Sequence, residues 1–243
     1  MGATGVGNAA IVLAGGNGSR MHSEIKKQYM LIGGKPVLFY SLDTFQKSSI
    51  IDEIILVCGS EEVNRCQKEI VEKYGFTKVK KVVAGGKERH DSVWEGLKAV
   101  GSCDYVMIHD GARPFIDQNM LERIWEELPK VRACTVGMPV KDTIKLSDIK
   151  GFVEQTLPRE RLWMIQTPQA FEYSLICQAH KRLAEGKMPG LKVTDDAMLV
   201  ESMENLPVKL VEGSYENIKI TTPEDLVLAE AIQKKRRMED EMA

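Results

Sequence analysis

An α/β fold, a mostly parallel sheet covered by helices on both faces, is predicted for this chain of 243 residues by three observations. Short apolar runs rich in branched residues alternate with segments of helical periodicity. The connections between them are short, and glycines, acids and cations gather directly after the apolar runs. Alternation of this kind gives a Rossmann-like arrangement of parallel strands joined by crossover helices, with the ligand crevice beyond the carboxyl ends of the strands. The loops that follow strands are therefore where chemistry belongs.

Taken in order, residues 9–13 are wholly apolar and break into Ala14-Gly15-Gly16-Asn17-Gly18, as a strand buried on both faces does before a loop. Residues 36–45 place Val37, Leu38, Leu42 and Phe45 on one helical face, with Pro36 where a first helical residue tolerates proline. A strand over 53–58 follows, then a helix through 61–74, a strand at 79–83, a helix at 91–100 and a strand at 105–108. Between 141 and 163 the rhythm changes to short alternating pieces, 143–146 and 152–156, joined by Asp148-Ile149-Lys150-Gly151; this predicts a protruding β-hairpin arm. Beyond it come a helix over 173–184, a flexible stretch at 185–190, a short helix at 195–203, strands at 208–211 and 217–220, and a helix from Pro223. There is no internal repeat, and the pattern predicts a single domain over 1–243 with the arm at 141–163 inside it.

Lys+Arg 33 against Asp+Glu 35 leaves a net charge of −2, which gives no support to a general attraction for nucleic acid or anionic lipid. With 43% hydrophobic and 28% charged residues the chain has the composition of a folded domain rather than a disordered one. No apolar stretch approaches the roughly 20 residues of a membrane span. Residues 1–8 lack the basic start and apolar middle of a signal peptide, and Val6 stands where myristoylation needs Ser or Thr, so a plain lead-in is expected. Five cysteines at wide, irregular spacings, with no CxxC pair, point to a reducing, cytoplasmic setting. Cys58 and Cys134 sit in strand-like apolar runs, where buried small hydrophobes are expected rather than catalytic thiols. The run Lys234-Lys-Arg-Arg237 before Glu239-Asp-Glu241 is expected to be a solvated helix end.

Four segments carry candidate chemistry. The first, Leu13-Ala-Gly-Gly-Asn-Gly-Ser-Arg20-Met21 closed by Lys26-Lys27-Gln28, puts glycines and then cations after the first strand. Glycines let backbone N–H groups approach anionic oxygens, and Arg and Lys neutralise charge on phosphorus, so a phosphate-binding loop is predicted. It lacks the Gly-Lys-Ser/Thr ending of a Walker loop, and Met21 stands where the dinucleotide fingerprint wants Gly or Ala. A plain glycine-rich turn is the alternative. The second segment is Val106-Met-Ile-His-Asp110-Gly-Ala-Arg113-Pro114, an acid directly after a buried strand and a cation three residues on. In the crevice, Asp110 would hold the magnesium that accompanies a nucleoside triphosphate; a helix N-cap is the alternative. His109 would point to the opposite face, as a core or supporting histidine. In the third, Ala84-Gly85-Gly86-Lys87-Glu88-Arg89-His90-Asp91-Ser92, small residues and Ser92 could read a base edge, with a capping loop as the alternative. The fourth, Asn217-Ile-Lys219-Ile-Thr221-Thr-Pro223, sets one lysine in an apolar stretch, which implies a nearby anion unless the lysine is a solvated edge residue.

At these residues the sequence resembles the 2-C-methyl-D-erythritol 4-phosphate cytidylyltransferase family, nearly end to end. The resemblance rests on Ala14-Gly-Gly-x-Gly-x-Arg-Met21 with Lys27-Gln28, Gly85-Gly86 with Glu88-Arg89 and Asp91-Ser92, and His109-Asp-x-Ala-Arg-Pro114. It continues through Pro139-Val-x-Asp-Thr143, Leu162-Trp163 with Gln166-Thr-Pro-Gln169, Thr194-Asp195 and Asn217-Ile-Lys219. It implies transfer of CMP from CTP to a polyol phosphate with release of pyrophosphate, in isoprenoid precursor synthesis. Arg20 and Lys27 would stabilise the transition state, and Ala14, Gly15, Gly16, Gly18, Gly86, Ser92 and Gly111 would hold the nucleotide. Asp110 would serve Mg²⁺ and substrate, with Arg113, Thr143, Arg159, Thr167, Thr194 and Lys219 around the polyol phosphate. The arm would interlock a homodimer, with Arg159 acting across the interface.

One departure from the family pattern is Ile25-Lys26, where proline commonly precedes the equivalent of Lys27. Losing a fixed backbone angle implies a looser loop and weaker nucleotide capture. The rival within the same chemistry is a ribitol 5-phosphate cytidylyltransferase; Gly111-Ala112 and the Pro158-Arg159 to Leu162-Trp163 stretch resemble the methylerythritol enzyme more closely. A nucleotide-binding protein without catalysis, and sugar nucleotidyltransferases using UTP or GTP, are the other classes.

Overall fold

The computed structural model describes residues 7–16, 21, 25–203 and 206–242. In chain order the strands are β1 (Asn8–Leu13), β2 (Leu31–Ile32), β3 (Lys35–Pro36), β4 (Glu53–Cys58), β5 (Val79–Ala84), β6 (Tyr105–Asp110), β7 (Ala133–Pro139), β8 (Lys145–Ser147), β9 (Val153–Thr156), β10 (Trp163–Glu172) and β11 (Lys209–Glu212). The helices are α1 (Val37–Lys47), α2 (Val63–Arg65), α3 (Arg89–Val100), α4 (Gln118–Val131), α5 (Tyr173–Ala184), α6 (Asp196–Glu201) and α7 (Pro223–Met242).

The central sheet has the order β11-β7-β10-β6-β1-β4-β5. β1 runs parallel to both β4 and β6, β4 to β5, and β7 to β11; β10 is antiparallel to β6 and β7. Because successive side chains of a strand face opposite ways, β1 feeds two cores. Ala10 and Val12 pack with Leu38, Leu42 and Phe45 of α1, while Ala9 and Ile11 pack with Val93 and Leu97 of α3 and Leu175 of α5. That is why residues 9–12 are apolar without alternation, and why the sheet is helix-covered on both sides. Gly96 lets α3 approach β1 closely: a Cβ there would lie 2.7 Å from Ile11 Cγ2.

The observed elements differ from the expected ones at several places: β2, β3 and β7 are not among the expected elements, and Pro36, expected as the first helical residue, lies in β3 and precedes α1 as its N-cap. The helical segment after β4 is a 3₁₀ turn (Ser60–Glu62), then α2, then a π-helical run (Cys66–Glu72). The sequence pattern as read passes over α4, although Met120, Leu121, Ile124 and Leu128 fall on its buried face and Asp117 caps it through Met120 N. It also passes over β10, whose register shifts between Ile165 and Gln169 and whose antiparallel run breaks the strand–helix beat. Residues 217–220, expected as a strand, form none: Asn217 Nδ2 donates to Thr167 O at 2.9 Å and Ile220 N to Ala112 O at 2.9 Å, so loop partners replace a ladder neighbour.

The arm forms as a two-stranded hairpin separate from the main sheet, β8 pairing with β9. Its turn is set by Asp148 Oδ1, which accepts from Lys150 N and Phe152 N, and by Gly151 at φ 86°. The basic end of α7 is not merely solvated. Lys235 and Arg236 pair with Glu216 at 2.7 and 3.1 Å, Arg236 also donates to Phe115 O, and Arg237 to Gly33 O.

Candidate functional site

The carboxyl ends of β1, β5 and β6 open onto a cavity of about 270 Å³. Its wall includes Leu13, Ala14, Gly15 and Gly16 after β1, Lys27 and Gln28, residues 86–89 and Ser92 at the start of α3, and Asp110, Ala112 and Lys219. Of the residues singled out in the sequence, Ala14, Gly15, Gly16, Lys27, Gly86, Ser92, Asp110 and Lys219 are thus brought together. Arg20 and Gly18 lie outside the described residues.

The β1 loop is fixed from below. Ala14 N donates to Val57 O, and the Gln28 amide donates to the carbonyls of Ala14 and Gly16. Those carbonyls are tied back, and the glycines place no side chain between the backbone and the cavity. Lys26, directly before Lys27, is held by Glu61 and Glu62, each carboxylate 2.9 Å from its Nζ. The looseness expected from the missing proline is therefore countered by a tether of another kind, and Lys26 already adopts φ −62°.

At the second wall, Glu88 and Asp91 form a reciprocal capping box on α3, and Ser92 Oγ accepts from Gly86 N at 3.1 Å. A Cβ on Gly86 would strike Asp91 Cβ at 2.3 Å, so the turn requires glycine. The loop caps α3, as the alternative reading expected, and it also lines the cavity.

Asp110 ends β6 at the cavity floor, between two cations. Its Oδ2 lies 2.6 Å from Lys219 Nζ and its Oδ1 3.1 Å from Arg89 Nε. It is not a helix N-cap. Burial alone would raise its carboxyl, but the charges of Arg89 and Lys219 outweigh that and hold it well below the ordinary carboxylate range. Arg89 continues the chain of charge to buried Asp196 at 2.7 Å, which meets His180 at 3.3 Å, and His180 stacks on Trp94. Burial works against the Arg89 guanidinium, yet Asp196 and Asp110 keep it firmly protonated.

His109 is fully buried on the other side of β6, as expected. Its Nε2 lies 3.0 Å from Arg113 O, a pure acceptor, so Nε2 carries the proton. Burial pushes the imidazole down to about 4, so the neutral ring accepts at Nδ1 from Thr167 Oγ1, 3.0 Å away. Thr167 Oγ1 in turn accepts from Asp110 N at 3.1 Å. Buried Thr167 therefore holds Asp110 from beneath, its hydroxyl proton already committed.

The remaining predicted residues lie off the cavity wall. Gly111 N donates to Leu13 O, and a Cβ there would lie 2.8 Å from Leu38 Cδ1, so glycine joins the ends of β1 and β6. Arg113 donates to Asn217 O at 2.8 Å and Ile165 O at 3.4 Å, stitching down the segment that presents Lys219. Thr194 is exposed just before α6. That helix is capped by Asp195 and fixed by Gln169 Oε1, which accepts from Asp196 N and Ala197 N. Thr143 and Arg159 sit exposed on the arm segment, Arg159 donating to Lys141 O.

Among the described residues no group of three or more His, Cys, Asp or Glu gathers as a metal cage. Asp110 supplies one carboxylate, which suits an ion whose other ligands are phosphate oxygens and water. Among them, too, no helix is long and apolar enough to cross a membrane.

A sequence profile of the IspD family, 2-C-methyl-D-erythritol 4-phosphate cytidylyltransferase, matches residues 8–235. The chain belongs to this family. The 2-C-methyl-D-erythritol 4-phosphate cytidylyltransferase of Lachnoclostridium phytofermentans is 49% identical over 92% of this chain and 94% of its own, and that of Lachnospira eligens 51% identical over 91% and 97%. The crystal structure of 4-diphosphocytidyl-2C-methyl-D-erythritol synthase from Anaerococcus prevotii superposes with a TM-score of 0.83 at 37% identity, covering 94% of this chain and 96% of that one.

Within this cytidylyltransferase family fold, the sequence reasoning gave no role to Arg89, Asp196 or Gln28. Arg89 was visible as a cation after β5, but its bridge between Asp110 and Asp196 spans 107 positions, which no local pattern reveals.

Proposed function

We propose that the chain transfers CMP from CTP to 2-C-methyl-D-erythritol 4-phosphate, giving CDP-methylerythritol and pyrophosphate for isoprenoid precursor synthesis. The observation that carries this is the family match over residues 8–235, which the cationic, glycine-lined cavity at the strand ends supports. The attacking group is a phosphate monoester whose second pKa near about 6 leaves it mostly dianionic at neutral pH, so no general base is required. A phosphate oxygen of the polyol forms a bond to the α-phosphorus of CTP while the bond from that phosphorus to the bridging oxygen of pyrophosphate breaks. The work of the protein is to bring two anions together and stabilise the charge that builds between them.

In this proposal Arg20 and Lys27 stabilise that charge, and the backbone at Ala14, Gly15, Gly16 and Gly18 carries the phosphates. Gly86 and Ser92 face the cytosine, and Gly111, joining the ends of β1 and β6, helps hold the nucleotide. Asp110, Arg113, Thr143, Arg159, Thr167, Thr194 and Lys219 attend the polyol phosphate. Thr167, its proton given to His109, has only a lone pair to offer and so suits a hydroxyl of the polyol better than its phosphate. Magnesium, when bound by Asp110 and the triphosphate, supplies Lewis-acid stabilisation of phosphate charge. A homodimer joined through the arm would bring Arg159 to the neighbouring site, and a cytoplasmic setting suits the free cysteines.

The test is pyrophosphate release from CTP with 2-C-methyl-D-erythritol 4-phosphate or ribitol 5-phosphate side by side. Turnover with the former at least about tenfold faster is expected. Preference for ribitol 5-phosphate, or no release with either, overturns the proposal.

A further inference from the structure

The segment that carries Lys27 into the cavity is fastened by side chains on both flanks. On one, Gln28 donates to the carbonyls of Ala14 and Gly16, and Tyr29 Oη lies 2.9 Å from Cys66 Sγ. On the other, Lys26 Nζ lies 2.9 Å from both Glu61 Oε1 and Glu62 Oε2. The two acids are not equivalent: the Glu61 side chain is 69% exposed and that of Glu62 only 7%. A carboxylate so far from water needs a cation to remain charged. Among the described residues the ion-pair partner of Glu62 is Lys26. Glu62 is also anchored: it ends the 3₁₀ turn after β4 and packs so close to Gly59 that a Cβ there would lie 2.8 Å from Glu62 Oε2. The acid thus belongs to the turn that leaves β4 and the cation to the loop before Lys27. Despite partial burial, the two carboxylates keep the Lys26 ammonium charged.

We propose that the Lys26–Glu62 ion pair is a latch that holds Lys27 in its nucleotide-binding position before CTP arrives. The inference rests on the cavity being the nucleotide site. Unlatched, the loop would sample other positions and only a fraction of molecules would be competent to bind, so apparent affinity would fall by that fraction. Once CTP saturates the site, the bound phosphates hold the loop instead, and turnover is unaffected.

The test is steady-state pyrophosphate release by the full chain, varying CTP, in Lys26→Met, Glu62→Gln, the double variant and Lys26→Arg. Each single neutral variant is expected to raise KM for CTP about fivefold with kcat within about twofold, and the double variant to be no worse than the worse single one. Lys26→Arg is expected to stay near wild type, as is Lys130→Met, which removes only an exposed pair with Glu127. Lys26→Met strands a buried carboxylate, so if it does not fold, the double variant, lacking both charges, carries the test. An unchanged KM, additive single effects, or a fall in kcat at constant KM overturns the latch. A wild-type enzyme that releases no pyrophosphate from CTP instead overturns the functional proposal beneath it.

Discussion

At the cavity, charge is answered by charge within one chain: Asp110 by Lys219 and Arg89, and Arg89 also by Asp196. The arm is built differently. Among the described residues β8 and β9 pair only with each other, and Leu146, Ile149, Phe152 and Val153 are exposed around a turn, Ile149 completely. Two-stranded hairpins are marginal in water, and exposed apolar side chains on one favour a covering surface. The cavity has its own electrostatic frame, whereas the arm, which carries Thr143 and Arg159, has apolar groups left exposed among the described residues. In the proposed function the arm would meet a second copy, which would cover these groups and complete the polyol half of the site.

The contrast breaks most visibly at Asp110. Asp110→Ala leaves Arg89 and Lys219 facing each other, and kcat/KM is expected to fall by at least about 10³-fold with a stability loss of roughly 3 kcal/mol, read by pyrophosphate release and thermal unfolding. Lys27→Ala removes a cation from the cavity wall and is expected to cost about 10² in kcat/KM while the melting temperature stays within experimental scatter. The arm sharpens the comparison from the other side. If the arm joins the proposed homodimer, Ile149→Asp with Phe152→Asp shifts the protein to monomer on sedimentation and reduces polyol phosphate turnover about tenfold or more, with CTP affinity preserved. Equal loss of CTP affinity would mean that the nucleotide half depends on the arm.

A smaller effect is set by His109. Its folded imidazole sits at about 4 against an ordinary 6.5, so between those values the unfolded chain binds a proton that the folded chain refuses. Its contribution is therefore complete above about pH 6.5 and lost as pH falls toward 4, by at most about 3 kcal/mol. Denaturant titrations of wild type and His109→Gln across that window should show the slope shrinking in the variant. The smallest change is expected for Lys26→Pro. The backbone at 26 already has φ −62°, so ring rigidity would offset the lost ion pair and keep KM for CTP within about twofold of wild type.

Much of the parallel sheet was legible because burial on both faces leaves uninterrupted apolar runs, as at residues 9–12 and 54–58. The cavity was legible for the same topological reason: Gly16 and Gly86 follow strands, Asp110 ends one, and strand ends converge. What local pattern did not reveal was long-range. Arg113 reads as a substrate cation until its bonds to Asn217 O and Ile165 O appear. Asn217 resembles a strand start, yet its side chain is spent on Thr167 and Gln166. Lys26 looks like a missing proline until Glu62, placed by a turn 36 positions away, supplies its partner. In each case the partner is chosen by tertiary packing, to which a periodicity of two or 3.6 is blind.

The proposed function requires the glycine-lined cavity at the ends of β1 and β6 to grip CTP. Crystals grown with CTP and magnesium test it most directly. Phosphates are expected over Ala14, Gly15 and Gly16 within reach of Lys27 Nζ, and cytosine against Gly86 and Ser92. Nucleotide density elsewhere on the molecule, with Lys27 and Asp110 remote from the α-phosphorus, would contradict it.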